Sequence, residues 1–383
     1  MSPQAKWEYL EAIRGRYRSS GRRDKGLILD EFCAVCGYSR KYAVRLLSRG
    51  RPRRRNRPGP PRRYGPEVVT VLKRIWLAAE QMCSKRLKAA LPLWLPHYER
   101  KYGALPEATR QRVLALSPAT MDRLLKPIRA KSGRKGLSGT RPGTLLRQQI
   151  PIQTQPWDIT QPGFLEADTV AHCGNSLAGS FIWSLTFTDI YSGWTENRAV
   201  WNKGSAGVLA QIQDIEEQLA FPLLGFDSDN GSEFLNHHLW RYFAQRPAPV
   251  AFTRSRPYRK NDNAHVEQKH WTHVRQLFGY DRFDRPQMLD PMNRLYAQEW
   301  SLLQNYFCPS MKLKSKERLG ARYRRCYESP KTPYERLLAC DQIAPQAKQR
   351  LQQTFASLDP FALKKGIERQ LKIIFNLLRS PRS

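Results

Sequence analysis

Between Gly163 and Val200 the chain runs GFLEADTVAH, SFIWSLTFTDI and GWTENRAV, three β-prone stretches at 163–172, 180–190 and 193–200 separated by Gly, Ser and Asn turns. The period then changes. A helix is expected over roughly 204–219, a short buried strand over 222–227, a helix over 232–245, a strand over 249–254 and a helix over 264–278. Three antiparallel strands followed by alternating helices and strands define an α/β sheet, and the apolar residues of this region, Cys173 included, supply its core.

Acidic residues interrupt that apolar pattern at chosen places. Asp168 sits inside the first strand, where an unpaired charge is costly and a carboxylate needs a cation or hydrogen bonds. Asp229 stands where PLLGFDSD ends and the DNGSEF turn begins, at the carboxyl edge of the sheet where α/β folds place functional groups. Glu267 lies on the helix that follows RSRPYRKNDNAHVE, and packing of that helix on the sheet can aim it at the same edge. Carboxylates from three separate elements can ligate two Mg²⁺ ions, one activating an attacking oxygen and one stabilising a leaving oxygen. On the residues alone other roles stay open: Asp229 before Asn-Gly as a turn former, Glu267 as a surface helix acid, Asp168 as a core acid satisfied by backbone donors. Glu166 and Asp227 precede two of these acids by two positions, hence share their strand face if the strands are regular.

Charge names the partner. The 383 residues carry a formal charge of +32, and Lys and Arg gain from counterion release only against a polyanion. Residues 1–150 hold 35 Lys and Arg against 10 Asp and Glu, residues 151–250 hold 4 against 11, and residues 251–383 hold 26 against 12. The segments are therefore +25, −7 and +14. A passive packing protein has no need of an acidic island between two basic arms, whereas an enzyme that holds cations does. Nucleic acid is the partner that charge implies, and the resemblance carried by the motifs makes it double-stranded DNA.

Those arms divide further. Residues 1–50 read as helices: Leu27, Phe32 and Val35 on one apolar face, Gly37 as breaker, Ser39 as cap, then Tyr42, Val44, Leu46 and Leu47, the helix-turn-helix pattern or an ordinary helical hairpin. Residues 51–65 are an Arg/Pro linker in which Arg53, Arg54, Arg55, Arg57, Arg62 and Arg63 can track phosphates. A second helical DNA-binding domain is expected at 66–130. Pro66 opens an amphipathic helix and more helix runs from Lys85 to Leu91, then residues 107–114 and a helix begun by Ser117-Pro118 form a second helix-turn-helix whose last helix presents Arg123, Lys126 and Arg129. Residues 131–150 read as a linker, 151–285 as the sheet-bearing core and 286–383 as a small C-terminal region for DNA binding or assembly, including a helix opened by Asp359-Pro360.

Cysteine and hydropathy set the compartment. Seven scattered cysteines argue against a disulfide framework, and no apolar run spans a bilayer, so a cytoplasmic protein without membrane contact is expected. Cys33-Ala-Val-Cys36 has zinc-ligand spacing, but the second ligand pair is missing, the nearest histidine being His97. Buried small hydrophobes are the default for this pair.

Three motifs carry a resemblance: ADT at 167–169 followed by TFTDIYSGW, DNGSEF at 229–234, and NDNAHVEQKH at 261–270. Together they resemble the integrase-core (D,D,E) transposases of bacterial insertion sequences, relatives of retroviral integrases. The 38 positions from Asp229 to Glu267 are close to the spacing of that family. The likeness covers about 155 to 285 well and the helical arms and SMKLKSKERLGARYRRCYESPKTPYERLL more loosely. It implies an α/β ribonuclease H-like catalytic core with helix-turn-helix N-terminal domains, a requirement for Mg²⁺ or Mn²⁺ with two ions, and Asp168, Asp229 and Glu267 as their ligands. It further implies a transposase that cleaves the ends of its element and joins their 3′-hydroxyls to target DNA, at least dimeric during synapsis. Lys260, Lys269 and His270 flank Glu267 and could grip the DNA end or steady the phosphate, or simply belong to a basic surface. The missing zinc ligands depart from the retroviral pattern and suit a bacterial helix-turn-helix arm. A ribonuclease H-like nuclease that only cuts is the nearest alternative, and a catalytically silent DNA-binding repressor is another, against which the three acids argue.

Overall fold

The computed structural model describes residues 1–50, 63–129, 159–228, 233–234, 236–254, 269–319 and 322–380. The chain forms two compact units, Met1–Arg63 and Tyr64–Ser383.

The first unit is three helices, α1 (Pro3–Ser19), α2 (Arg22–Cys36) and α3 (Arg40–Arg49). Ser2 starts α1 by accepting the Ala5 amide at 3.2 Å, with Pro3 in the first turn where its missing N–H costs nothing. Gly37 ends α2 at φ +68, a left-handed turn that a side chain resists, and its amide donates to the Cys33 carbonyl at 2.8 Å. Ser39 occupies the start of α3, yet its side chain makes no capping bond. Leu10, Ile13 and Tyr17 meet Ile28, Leu29, Phe32, Cys36, Ala43, Leu46 and Leu47 in a separate core. The apolar face of α2 differs in part from the one expected: Phe32 is buried, but Leu27 and Val35 are exposed because the Ile28, Phe32, Cys36 row at i, i+4 spacing faces inward, and on α3 Val44 is exposed as well. Among the described residues all seven cysteines are free thiols.

The second unit is organised by a five-stranded sheet of β1 (Phe164–Ala171), β2 (Ile182–Asp189), β3 (Thr195–Trp201), β4 (Gly225–Ser228) and β5 (Ala251–Arg254), in the order β3-β2-β1-β4-β5. The first three strands are antiparallel, and β4 and β5 run parallel to β1. This mixed order fits the ribonuclease H-like core that the resemblance implies. The parallel step requires a crossover. Helix α8 (Ser205–Gln218) supplies it, and α9 (His237–Ala244), capped by Asn236 at the Leu239 amide (2.9 Å), bridges β4 to β5. Phe187, Phe226, Phe234, Phe243 and Phe252 interlock between sheet and helices with ring centroids 4.9 to 6.5 Å apart.

The outer edge of β3 is closed by side-chain amides. A long helix, α11, whose segments are Leu289–Arg294, a π-wound turn Leu295–Trp300, and Ser301–Phe307, lies along that edge. Asn305 accepts the Thr195 amide at 2.9 Å and donates to the Thr195 carbonyl at 3.0 Å. Asn293 does the same at Ala199, at 2.6 and 3.1 Å. Each amide thus imitates the next strand of a ladder, which protects an otherwise open edge. A shorter helix, α10, precedes it, π-wound over His270–Arg275 and α-helical over Gln276–Phe278.

Helices α4 (Pro66–Ala78), α5 (Ser84–Tyr102), α6 (Glu107–Leu114) and α7 (Pro118–Arg129) belong to the same unit. Helix α5 continues past Leu91, the expected end of that helical stretch, through Pro92 and Pro96 to Tyr102. Burial compensates the two prolines: Trp94 donates to the Phe307 carbonyl at 2.9 Å and packs edge-on against Phe361, 5.3 Å away. Phe361 belongs to α14 (Pro360–Arg379), opened by Asp359 as expected, which follows a β6–β7 hairpin (Leu313–Leu319, Arg322–Tyr327), α12 (Pro333–Leu338) and α13 (Pro345–Ser357). One continuous hydrophobic core joins residues from Val68 to Ile374.

Two measurements check this architecture. Asn305→Ala leaves both Thr195 backbone groups without partners and is expected to cost about 1–3 kcal/mol in urea unfolding of the larger unit. Residues 1–63 alone are expected to show a cooperative helical melt. A fragment of residues 1–150 instead separates Trp94 from Phe307 and Phe361 and exposes its second half.

Candidate active site

Asp168 is at the centre of the sheet, on β1 between β2 and β4. Its Oδ1 accepts the Thr169 amide at 2.6 Å, and its Oδ2 lies 3.3 Å from Nε2 of His270, the first residue of α10. Its side chain keeps 16% of its exposure. Strand alternation puts Glu166 and Asp168 on one face and Ala167 and Thr169 on the other. Glu166 pairs across the strands with Asp227, and both are buried, Asp227 accepting the Thr253 hydroxyl at 2.6 Å. The Asp168 carboxylate is thus the accessible member of an acidic group. Carboxylate oxygens with an imidazole beside them are the donor types that a divalent cation of the Mg²⁺ or Mn²⁺ kind takes, though the described residues alone do not complete a site.

Ser228, the last described residue of β4, pairs with Ala167, immediately before Asp168. Asp229 and Glu267, with Lys260 and the linker residues Arg53, Arg54, Arg55, Arg57 and Arg62, lie outside the described residues. Among the described residues no three His, Cys, Asp or Glu side chains form a metal site by themselves.

The remaining basic candidates are distributed unevenly. Arg63 is exposed at the end of the first unit. On α7, Lys126 is exposed, and Arg123 is exposed with its guanidinium donating to Thr120 at 3.1 Å. Arg129 is committed to packing: it donates to Asp122 at 2.6 Å and Ser84 at 3.1 Å and stands 5.6 Å from the Trp76 ring. Lys269 turns into the protein, its ammonium 3.5 Å from the Gly193 carbonyl. Burial, with the Arg86 and Arg336 guanidiniums nearby, pulls its pKa down to about 7. Burial and the Lys269 and Arg86 charges likewise hold His273 well below the ordinary imidazole range.

Sequence reasoning passed over a second cluster. Glu233, 3% exposed, accepts the Thr169 hydroxyl at 3.0 Å and forms an ion pair with Lys203, whose ammonium stands 3.8 Å from the centre of the Trp183 ring. The signal was present: Glu233 is the second acid of DNGSEF, next to the core residue Phe234.

Comparison with known proteins places the chain. No family model matches it. It is 42% identical over 344 residues to the uncharacterized protein y4rM of Sinorhizobium fredii (strain NBRC 101917 / NGR234), a match covering 88% of this chain and 96% of that protein. The chain belongs to the same family as y4rM. Among solved structures, the catalytic core domain of BIV integrase aligns with 45% of this chain and 91% of its own, at 18% identity and a TM-score of 0.26. A score that low carries no weight for fold or activity. No described helix is long and apolar enough to cross a membrane.

The inward turn of Lys269 has a measurable consequence. Lys269→Met removes a desolvated cation beside two others, so the melting temperature should hold or rise, and DNA affinity at fixed salt should fall by less than about twofold. A loss of about tenfold would instead put that ammonium on the DNA.

Proposed function

We propose that the chain is a transposase that binds the ends of its mobile element, cleaves them, and joins the exposed 3′-hydroxyls to target DNA. The observation that carries this reading is the contact between His270 and Asp168, 3.3 Å apart. It brings the start of α10 to the carboxylate in the middle of β1, and β4 ends with Ser228 beside Ala167; in the sequence these two points close the run NDNAHVEQKH and precede DNGSEF. Glu267 precedes His270 by three residues and Asp229 follows Ser228 directly, so a span of at most roughly 3.8 Å per residue allows both acids to reach Asp168.

Asp168, Asp229 and Glu267 would hold the Mg²⁺ or Mn²⁺ ions, which when bound activate the attacking oxygen and neutralise the leaving one. The chain's own residues do the rest. His270 orients the Asp168 carboxylate from one side and the Thr169 amide from the other. In cleavage, water forms a bond to phosphorus as the bond from phosphorus to the 3′-oxygen breaks, leaving a 3′-hydroxyl and a 5′-phosphate. In joining, that 3′-oxygen bonds to a target phosphorus as the target's own bond to its 3′-oxygen breaks, so the number of phosphodiesters is unchanged. The basic segments at +25 and +14 on either side of the −7 core support holding two duplexes at once, with the helix-turn-helix arms as the sequence-reading part and a dimer bringing two ends together.

Two experiments decide. Asp168→Asn, Asp229→Asn and Glu267→Gln should each abolish cleavage and joining while leaving DNA binding nearly intact, and a variant that joins normally in Mg²⁺ removes its residue from the site. A pre-cut end with a free 3′-hydroxyl, mixed with plasmid, protein and Mg²⁺ or Mn²⁺, should give covalently joined product, and a dideoxy end should not. Cutting without joining under both metals would make the protein a nuclease, and DNA binding without either a repressor.

A further inference from the structure

A cavity of about 170 Å³ lies beside α10, walled by the turn between α4 and α5, by Thr272 and Gln276 of α10, and by Gln304 of α11. Its size suits a single ring, since roughly 150 Å³ holds benzene inside a protein. Its walls are not those of a dry apolar gap. Gln304 is 7% exposed and has no hydrogen-bond partner among the described residues, although a buried carboxamide left unpaired is costly. Arg86 donates through Nε to the Pro309 carbonyl, and its two Nη groups have no partner among the described residues. The exposed amides of Gln81 and Gln276 stand at the mouth.

The turn that forms one wall is strained. Glu80 and Gln81 adopt φ +54 and +52 in succession, left-handed backbone at two residues that are not glycine. They are held there: the Gln81 amide donates to the Trp76 carbonyl at 2.9 Å, Nε1 of Trp76 donates to the Met82 carbonyl at 3.1 Å, and Lys364 of α14 pairs with the Glu80 carboxylate. Strain of this kind persists only where the surroundings over-determine it, and it collects at ligand sites.

The lining selects the ligand by charge and by bonding pattern. Arg86 disfavours a cation and Glu80 disfavours an oxyanion, so the complementary molecule is neutral. Carboxamides, a guanidinium and a carboxylate together offer donors and acceptors side by side, the pattern that the edge of a nucleobase requires. Position favours the same class. Helix α10 begins at His270, beside Asp168, and Gln276 follows six residues later, at most roughly 9 Å along a helix. A strand lying at Asp168 covers that distance in about three nucleotide steps of roughly 3.4 Å. Trp271, 46% exposed, follows His270 on the same helix and offers a face on which a base can stack.

We propose that this cavity receives one unpaired nucleobase of the DNA that the protein binds. The proposal rests on the reading of DNA as the partner, and its test needs no cleavage. Full-length protein in EDTA is titrated into two duplexes of one sequence, the first with a single bulged 2-aminopurine and the second with an abasic bulge at the same place. The base-bearing duplex should bind roughly tenfold more tightly, the scale of a base seated against protein, and its fluorescence should change on binding. Gln304→Leu should reduce that preference to less than about twofold, and its melting temperature should hold or rise because an unpaired buried amide is gone. If Gln304→Leu fails to fold, Gln276→Ala at the exposed mouth carries the test, with the preference falling about threefold. Equal binding of both duplexes, or a preference that survives both substitutions, overturns the proposal and leaves the DNA reading in place. Binding of free guanosine without any preference for the base-bearing duplex makes the cavity a small-molecule site and overturns it as well. If neither duplex binds, the DNA reading falls and the proposal with it.

Discussion

The parallel pairing of β1 with β4 is the constraint on which the rest of this protein depends. It makes β1 the middle strand, so that the Asp168 carboxylate stands within the sheet and not at its edge. It demands a crossover, which α8 provides, and it fixes the register in which Ser228 stands beside Ala167. Only four residues of β4 make this pairing, so its strength comes from what covers it: the Phe187, Phe226, Phe234, Phe243 and Phe252 cluster on the α8 and α9 side.

Several of the buried charges are held in ion pairs. Arg198, 1% exposed at its side chain, is answered by Asp214 at 2.6 Å, Glu196 at 3.3 Å and Gln218 at 3.1 Å. Glu233 is answered by Lys203, and Arg336 by Glu328 at 2.6 Å. Each such ion is retained with its partner because removal of either one would strand a charge in a low dielectric. Asp168 keeps 16% of its side-chain exposure, with the His270 ring 3.3 Å from one oxygen and the Thr169 amide on the other.

The unit built around the sheet is larger than the core outlined at 151–285. Trp94 on α5, Phe307 on α11 and Phe361 on α14 meet in one cluster although more than two hundred residues separate the first from the others. The helices at 66–129 and 289–380 thereby share the sheet's hydrophobic core, and only Met1–Arg63 has a core of its own.

The sequence by itself determined the elements: three strands near 163–200, the helix and strand alternation after them, Gly37 as a helix stop, Asp359-Pro360 as a helix start, and Asp168 as an acid inside an apolar strand. These are local facts, set by periodicity, capping and backbone preference within a few residues. Tertiary structure decided what local rules leave degenerate. Leu27 and Ile28 are equally apolar, and only packing chose Ile28 for the core. Pro92 and Pro96 favour a break, and only the burial of Trp94 carried α5 through them. Lys269 reads as one more cation on a basic chain until the Gly193 carbonyl, Arg86 and Arg336 are found around it. Glu233 acquires its place only when Thr169 and Lys203, from opposite ends of the sheet's antiparallel half, converge on it, because a contact between residues far apart in the chain leaves no periodic trace in either segment.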